Sequence, residues 1–188
     1  MRRQAILLIS AMVAALLFAS GVALAADISC STNLCQGTPD RDLIYGTDSA
    51  EQIDALAGAD VVYANGGRDT VYGGRGNDAI EGFGNNDTIY GGSGDDGTQG
   101  IGLAPINLEG GEASDKVYGG EGADWIDAAA EDTDGSVDRS YGEEGNDYIY
   151  AIDGNEDIID CGPGANDVVR RDVGIDTIKG GCEVRRAK

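Results

Sequence analysis

From Gly37 onward the chain keeps a nine-residue beat, and that beat limits what it can fold into more than any other feature. Cut into nines it reads GTPDRDLIY, GTDSAEQID, ALAGADVVY, ANGGRDTVY, GGRGNDAIE, GFGNNDTIY and then GGSGDD. Position six is Asp42, Glu51, Asp60, Asp69, Asp78, Asp87 and Asp96. Two residues later stand Ile44, Ile53, Val62, Val71, Ile80 and Ile89, all β-branched and apolar. A fixed short period marks a repeat architecture, in which no unit buries its own apolar face and each must stack on a neighbour.

Each unit divides into a six-residue loop and a three-residue strand. Loop position four is Asp40, Ser49, Gly58, Gly67, Gly76, Asn85 or Gly94, residue types that suit turn and left-handed backbone. In the strand the middle residue faces one side and its flankers the other, because strand side chains alternate. Two units, one strand up and one back, make a flattened coil of about eighteen residues per turn with parallel strands roughly 4.8 Å apart. The predicted fold is therefore all-β, a parallel solenoid with a thin continuous core. Asp60, Asp78 and Asp96 should form one column of carboxylates, and Asp69 and Asp87 the other.

Carboxylates stacked at that spacing repel one another unless a cation lies between them. The chain has 13 basic residues against 34 acidic ones and no histidine, so side chains cannot supply that charge. Oxygen-only donors, carboxylates plus loop carbonyls, suit Ca²⁺ better than Zn²⁺, which favours Cys and His. Mg²⁺ fits less well, since it demands near-ideal octahedral geometry and gives up water reluctantly.

GGRGNDAIE, GGSGDD and GGEGADWID resemble the calcium-binding nonapeptide G-G-x-G-x-D-x-U-x of the RTX (repeat-in-toxin) family of hemolysin-type proteins. The resemblance runs from about Gly37 to Lys179. It implies a right-handed parallel β-roll in which several Ca²⁺ ions sit between loops of successive turns. Carried onto this chain, it makes metal ligands of Asp60, Asp69, Asp87 and Asp115. Gly73, Gly74 and Gly76 go with Asp78; Gly91, Gly92 and Gly94 go with Asp96. Gly119, Gly120 and Gly122 go with Asp124, and Gly142 and Gly145 with Asp147. The best-formed loops are Gly73–Asp78 and Gly91–Asp96. GTPDRD and GTDSAE lack the second glycine and are weaker candidates. Leu56 and Phe83 stand where the second glycine belongs, so those loops are expected to pack a hydrophobe instead of presenting carbonyls.

Residues 1–25 have Arg2 and Arg3, the apolar run AILLISAMVAALLFA and an Ala-Leu-Ala exit, the pattern of a secretory signal peptide cut after Ala25. That predicts a secreted, extracellular protein with no stable membrane insertion after cleavage. In such a compartment Cys30, Cys35, Cys161 and Cys182 make disulfides. Locality favours Cys30–Cys35 and Cys161–Cys182, one at each end of the coil, over a crosslink between the ends. The expected division is leader 1–25, disulfide cap 26–36, repeats 37–160, and a C-terminal cap 161–188 that ends in a solvated Arg-Arg-Ala-Lys. Between Asp96 and Asp115 lie nineteen positions, one more than a full turn, which predicts a one-residue bulge with Ile106-Asn107-Leu108 as strand. The longer step from Asp124 to Asp138 predicts a surface excursion within AAAEDTDGS. Beyond Asp147 the strands continue through Asp157, Asp167 and Asp176, but CGPGAND departs from the calcium consensus.

A formal charge of −21 excludes a nucleic-acid partner, because phosphate affinity needs positive charge. The missing histidine removes HExxH zinc sites and Ser-His-Asp or Cys-His nucleophiles. No catalytic residue is assigned, and the chain is expected not to be an enzyme; a polysaccharide lyase or epimerase is the least favoured reading. Tyr45, Tyr63, Tyr72, Tyr90, Tyr118 and Tyr150 recur at position nine, so Tyr45/Tyr63 and Tyr72/Tyr90 should stack across turns. Such rings support a sheet; the rival use is an aromatic face for an extracellular polysaccharide or cell-surface partner.

Overall fold

The computed structural model describes residues 26–97, 107–129 and 135–184. The leader, Ile106, the centre of the AAAEDTDGS excursion and the Arg-Arg-Ala-Lys tail lie outside the described residues. Every regular element described is a strand; none is a helix long and apolar enough to cross a membrane. The strands fall into a nine-stranded and an eight-stranded sheet, alternating between the two along the chain. All pairings are parallel, each strand lying beside the one two steps on. This is the solenoid that the nine-residue beat predicts.

Its core is two facing rows, one side chain per strand. In the first sheet Ile44, Val62, Ile80, Leu108, Ile126, Ile149 and Val169 stack in register. In the second, Cys35, Ile53, Val71, Ile89, Val117, Ser140 and Ile159 do the same. All are buried. Burying one such aliphatic side chain is worth about 2 kcal/mol, which no single triplet converts into a stable fold without its neighbours. Ser140 breaks the second row with a hydroxyl.

The strand after Asp96 differs from the sequence expectation. It is Leu108–Glu109, and Leu108, not Asn107, enters the core between Ile80 and Ile126. Asp87 bonds to Asp115, and Asp96 to Asp124, each across 28 residues. The chain thus takes half a turn, not a full turn plus a bulge, between Asp96 and Asp115, and Asp115 joins the column of Asp87. The reason is physical: only a strand that puts an aliphatic residue in register with Ile80 continues the core, and Leu108 is the residue that does so. Asp115 meets Asp138 across 23 residues, one turn with the expected five added.

Both local disulfides are present, Cys30–Cys35 and Cys161–Cys182, with no free cysteine.

Candidate metal centre

The loops occupy two edges of the solenoid. On the edge where the chain passes from the second sheet to the first stand Asp42, Asp60, Asp78, Asp96, Asp124, Asp147 and Asp167. Glu51, Asp69, Asp87, Asp115, Asp138, Asp157 and Asp176 line the opposite edge. The four loops closest to the nonapeptide, Gly73–Asp78, Gly91–Asp96, Gly119–Asp124 and Gly142–Asp147, all fall on the first edge. The sequence placed two of these in one column; the register adds the others.

One hydrogen bond recurs along each edge. The backbone N–H of the position-six residue donates to Oδ1 of its counterpart one turn on: Asp60 to Asp78 at 2.9 Å, Asp78 to Asp96 at 2.8 Å, Asp96 to Asp124 at 2.8 Å, Asp124 to Asp147 at 3.0 Å. On the other edge Asp69 donates to Asp87 at 2.8 Å and Asp87 to Asp115 at 2.6 Å. The carboxylates are thereby buried, Asp60 and Asp96 completely.

The second oxygen divides the loops into two kinds. Oδ2 of Asp60, Asp69, Asp78, Asp87, Asp96, Asp124, Asp147 and Asp167 is buried with no hydrogen-bond partner. At the chain's ends the same oxygen is served from within the loop. Thr38 N–H donates to Oδ2 of Asp42 at 2.5 Å and its Oγ1 to Oδ1 at 3.0 Å. Thr47 serves Glu51 in the same way through its N–H, at 2.9 Å, and its hydroxyl. The Asp172 N–H serves Oδ2 of Asp176 at 2.6 Å.

A buried anion without a donor is costly, and these carboxyls respond. Burial pushes Asp87 and Asp96 up to about 8, Asp60 and Asp124 up to about 7, and Asp69, Asp78 and Asp147 up to about 6. Neighbouring carboxylates add to this, Asp124 and Asp78 acting on Asp96 and Asp78 on Asp60. The inter-turn N–H bonds oppose it without cancelling it.

Backbone oxygens converge on the same places. A methyl group added at Gly73 would sit 2.5 Å from the Gly91 carbonyl oxygen and 2.7 Å from Oδ2 of Asp78. At Gly91 it would sit 2.5 Å from both Oδ2 of Asp96 and the Gly119 carbonyl. Loop position one therefore has to be small, because carboxylate and carbonyl oxygens crowd in beside it. Gly76 and Gly94, with φ of 133° and 138°, stack so closely that a side chain on either would strike the glycine carbonyl of the turn before. Leu56 and Phe83, by contrast, keep the left-handed backbone of the glycine they replace, φ 76° and 73°. Their carbonyls accept from Arg75 N–H at 3.0 Å and Glu112 N–H at 2.6 Å. The substitution leaves the loop path intact, at a strain on the order of 1 kcal/mol each. The Phe83 ring leans on Tyr63, centroids 6.1 Å apart.

These donors fit a hard divalent cation: oxygen only, an unpartnered buried carboxylate oxygen in the loops of Asp60, Asp69, Asp78, Asp87, Asp96, Asp124 and Asp147, and carbonyls beside it. Among the described residues no three acidic, Cys or His side chains converge on one point. A cation held here would take no more than two carboxylates, and its other donors would be backbone oxygens and water.

The tyrosines form a longer ladder than the sequence reading gave. Tyr72, Tyr90, Tyr118 and Tyr141 stack with centroids 5.0, 4.9 and 4.6 Å apart, and Tyr45 stacks on Tyr63 at 5.5 Å. Tyr141 went unread because the Asp124–Asp138 step hides its phase; counting nine from Asp138's loop recovers it.

This solenoid, with one carboxylate at the sixth loop position of each half-turn, is a parallel β-roll of the repeat-protein class. The model of the RTX calcium-binding nonapeptide repeat matches residues 36–62, 45–80, 63–97, 107–134 and 132–168, and the chain belongs to that family. No curated protein and no solved structure matches it.

Proposed function

We propose that this is a secreted, non-catalytic calcium-binding module whose folding is coupled to the ion. One observation carries the reading: Oδ2 of Asp60, Asp69, Asp78, Asp87, Asp96, Asp124 and Asp147 is buried without a donor. In the unfolded chain those carboxylates are hydrated and charged; in the ion-free fold Asp60, Asp69, Asp78, Asp87, Asp96, Asp124 and Asp147 are buried and raised in pKa, and each resists ionisation there. Calcium, when bound, supplies the positive charge that they lack. An ion that binds the folded loops and not the coil contributes its binding free energy to folding. The residues that would hold it are Asp60, Asp69, Asp78, Asp87, Asp96, Asp115, Asp124 and Asp147, with the loop carbonyls around Gly73, Gly91, Gly119 and Gly142. Extracellular calcium modules bind at roughly 10⁻⁴–10⁻³ M, a range that keeps the chain loose inside a cell and ordered outside it.

Export rests on the leader-like residues 1–25 and on two disulfides, which fit an oxidising, extracellular compartment. In the module so formed, residues 26–36 and 161–188 cap the repeats of 37–160. A polysaccharide or cell-surface partner held by the tyrosines has less behind it. Stacked at 4.6–5.0 Å, the ladder rings cover one another's faces, the surfaces on which a sugar would lie.

The test is far-UV circular dichroism of the chain from Ala26, titrated with calcium from a chelated start. A cooperative coil-to-β transition, with Mg²⁺ far less effective, is expected. A β-rich spectrum under chelator that calcium leaves unchanged would overturn the coupling.

A further inference from the structure

The disulfide-bonded loop 161–167, CGPGAND, does not spell the nonapeptide: it carries one residue too many, a cysteine at position one and a proline at position three. Its backbone nevertheless keeps the register of the first edge. Gly145 N–H donates to the Pro163 carbonyl at 3.4 Å, as Gly76 does to Ser93 and Gly94 to Glu121. Asp147 N–H donates to Oδ1 of Asp167 at 3.0 Å, so Asp167 extends the carboxylate column. Asp167 is 1% exposed, and its Oδ2 has no hydrogen-bond partner.

Asp176, in a loop that also departs from the consensus, has its spare oxygen served by its own loop's Asp172 N–H, as Thr38 and Thr47 serve Asp42 and Glu51. The two kinds of loop are thus told apart by hydrogen bonding and not by spelling. By that criterion Asp167 belongs with Asp78 and Asp96. The Gly145 carbonyl and both carboxylate oxygens of Asp167 crowd one side of Gly164, where a methyl group would collide with all three. The Cys161 carbonyl, in turn, lies 2.5 Å from where a Gly142 methyl would sit, in the place that Gly119 and Gly142 carbonyls hold for the layers below.

Above Asp167 the next loop is cut short. Gly181 lies directly over Gly162, and Glu183 N–H already donates to the Asp167 carbonyl at 2.9 Å. The Cys161–Cys182 disulfide spans this gap, with Cα atoms 5.2 Å apart.

We infer that loop 161–167 is a further calcium site, built on Asp167 and the Gly145 carbonyl, in which the Cys161–Cys182 disulfide takes the place of the missing next loop. The inference rests on the calcium reading above and assigns one of its ions to a loop that lies at the end of the family match but departs from the nonapeptide spelling. Ion counts at saturating calcium, by native mass spectrometry of the oxidised chain, test it with two variants. Asp167→Asn should hold one calcium fewer than the parent. Asp176→Asn, whose oxygen is served by backbone, should hold the same number. An unchanged count in Asp167→Asn overturns the inference. Should that variant not reach the parent's β signal, crystals of the parent grown with calcium decide: anomalous density beside Asp167 supports the site, and density beside Asp78 and Asp96 without any at Asp167 overturns it. No calcium anywhere in the parent would instead bring down the calcium reading itself.

Discussion

Asp78 donates its backbone N–H to Oδ1 of Asp96, 2.8 Å away, while Oδ2 of Asp96 is buried with no donor at all. One carboxylate thus does two jobs. One oxygen ties adjacent turns together; the other, once ionised, carries a charge that the protein leaves uncompensated. A substitution that keeps the first and removes the second separates them. Asp96→Asn retains Oδ1 as an acceptor and loses the anion. It should still form the solenoid, but the calcium concentration at half-folding should rise about tenfold, equivalent to roughly 1.4 kcal/mol. A calcium titration followed by circular dichroism reads the shift, and an unmoved midpoint would show that Asp96 is not a ligand.

The raised carboxyls fix the sign of a pH effect. Asp96 and Asp87 titrate near 8 and Asp60 and Asp124 near 7 in the ion-free fold, against an ordinary value of 3.8. Between pH of about 4 and about 8 the ion-free fold therefore binds more protons than the unfolded chain, and its stability falls as pH rises through that window. In chelator the protein should be more folded at pH 5 than at pH 8, the reverse of ordinary acid denaturation. With calcium the order should invert, since protons then compete with the ion for the same oxygens. Urea midpoints measured with and without calcium at the two pH values check both signs.

Much of this was legible in the chain. The nine-residue beat fixes which residues face inward, and Ile44, Val62 and Ile80 stand where that alternation puts them. The columns of Asp60, Asp78 and Asp96 and of Asp69 and Asp87 follow from the same count. What did not follow from counting is where the count breaks. Nineteen positions separate Asp96 and Asp115, close to a full turn, yet the chain makes half a turn, because it is Leu108 that takes the core register beside Ile80. Spelling was incomplete at the loops as well. Leu56 and Phe83 keep the left-handed backbone of the glycine they replace, while the Thr38 and Thr47 caps of Asp42 and Glu51 depend on a hydrogen-bond geometry that no motif states.

Those caps lead to a test at the N-terminal turns. Thr47 satisfies both oxygens of Glu51, so an ion has no unmet acceptor to serve there. Thr47→Val removes the hydroxyl donor and should destabilise the calcium-loaded protein by about 1–2 kcal/mol without changing the number of ions bound. Denaturant unfolding and an ion count are both needed. A lost ion would mean that the Glu51 loop is a site after all.

Ser140 offers the opposite case, a place where the fold is short of an apolar group. It stands in the second sheet's core row between Val117 and Ile159, 1% exposed, and its Oγ has no partner. Burying an unpaired hydroxyl costs on the order of 1–3 kcal/mol, and its small volume leaves the aliphatic row interrupted at that turn. Ser140→Val restores a β-branched side chain of the kind found on either side and removes the orphaned oxygen. The calcium-loaded variant should gain about 1–2 kcal/mol, raising the melting temperature by roughly 3–6 °C. Calorimetry at saturating calcium is the measurement. Because Ser140 sits in a core strand and its Oγ bonds to no loop group, the calcium count should stay the same, so the gain would report on the core alone. A variant no more stable than the parent would mean that this turn has no room for the added methyl groups, as overpacked cores do not.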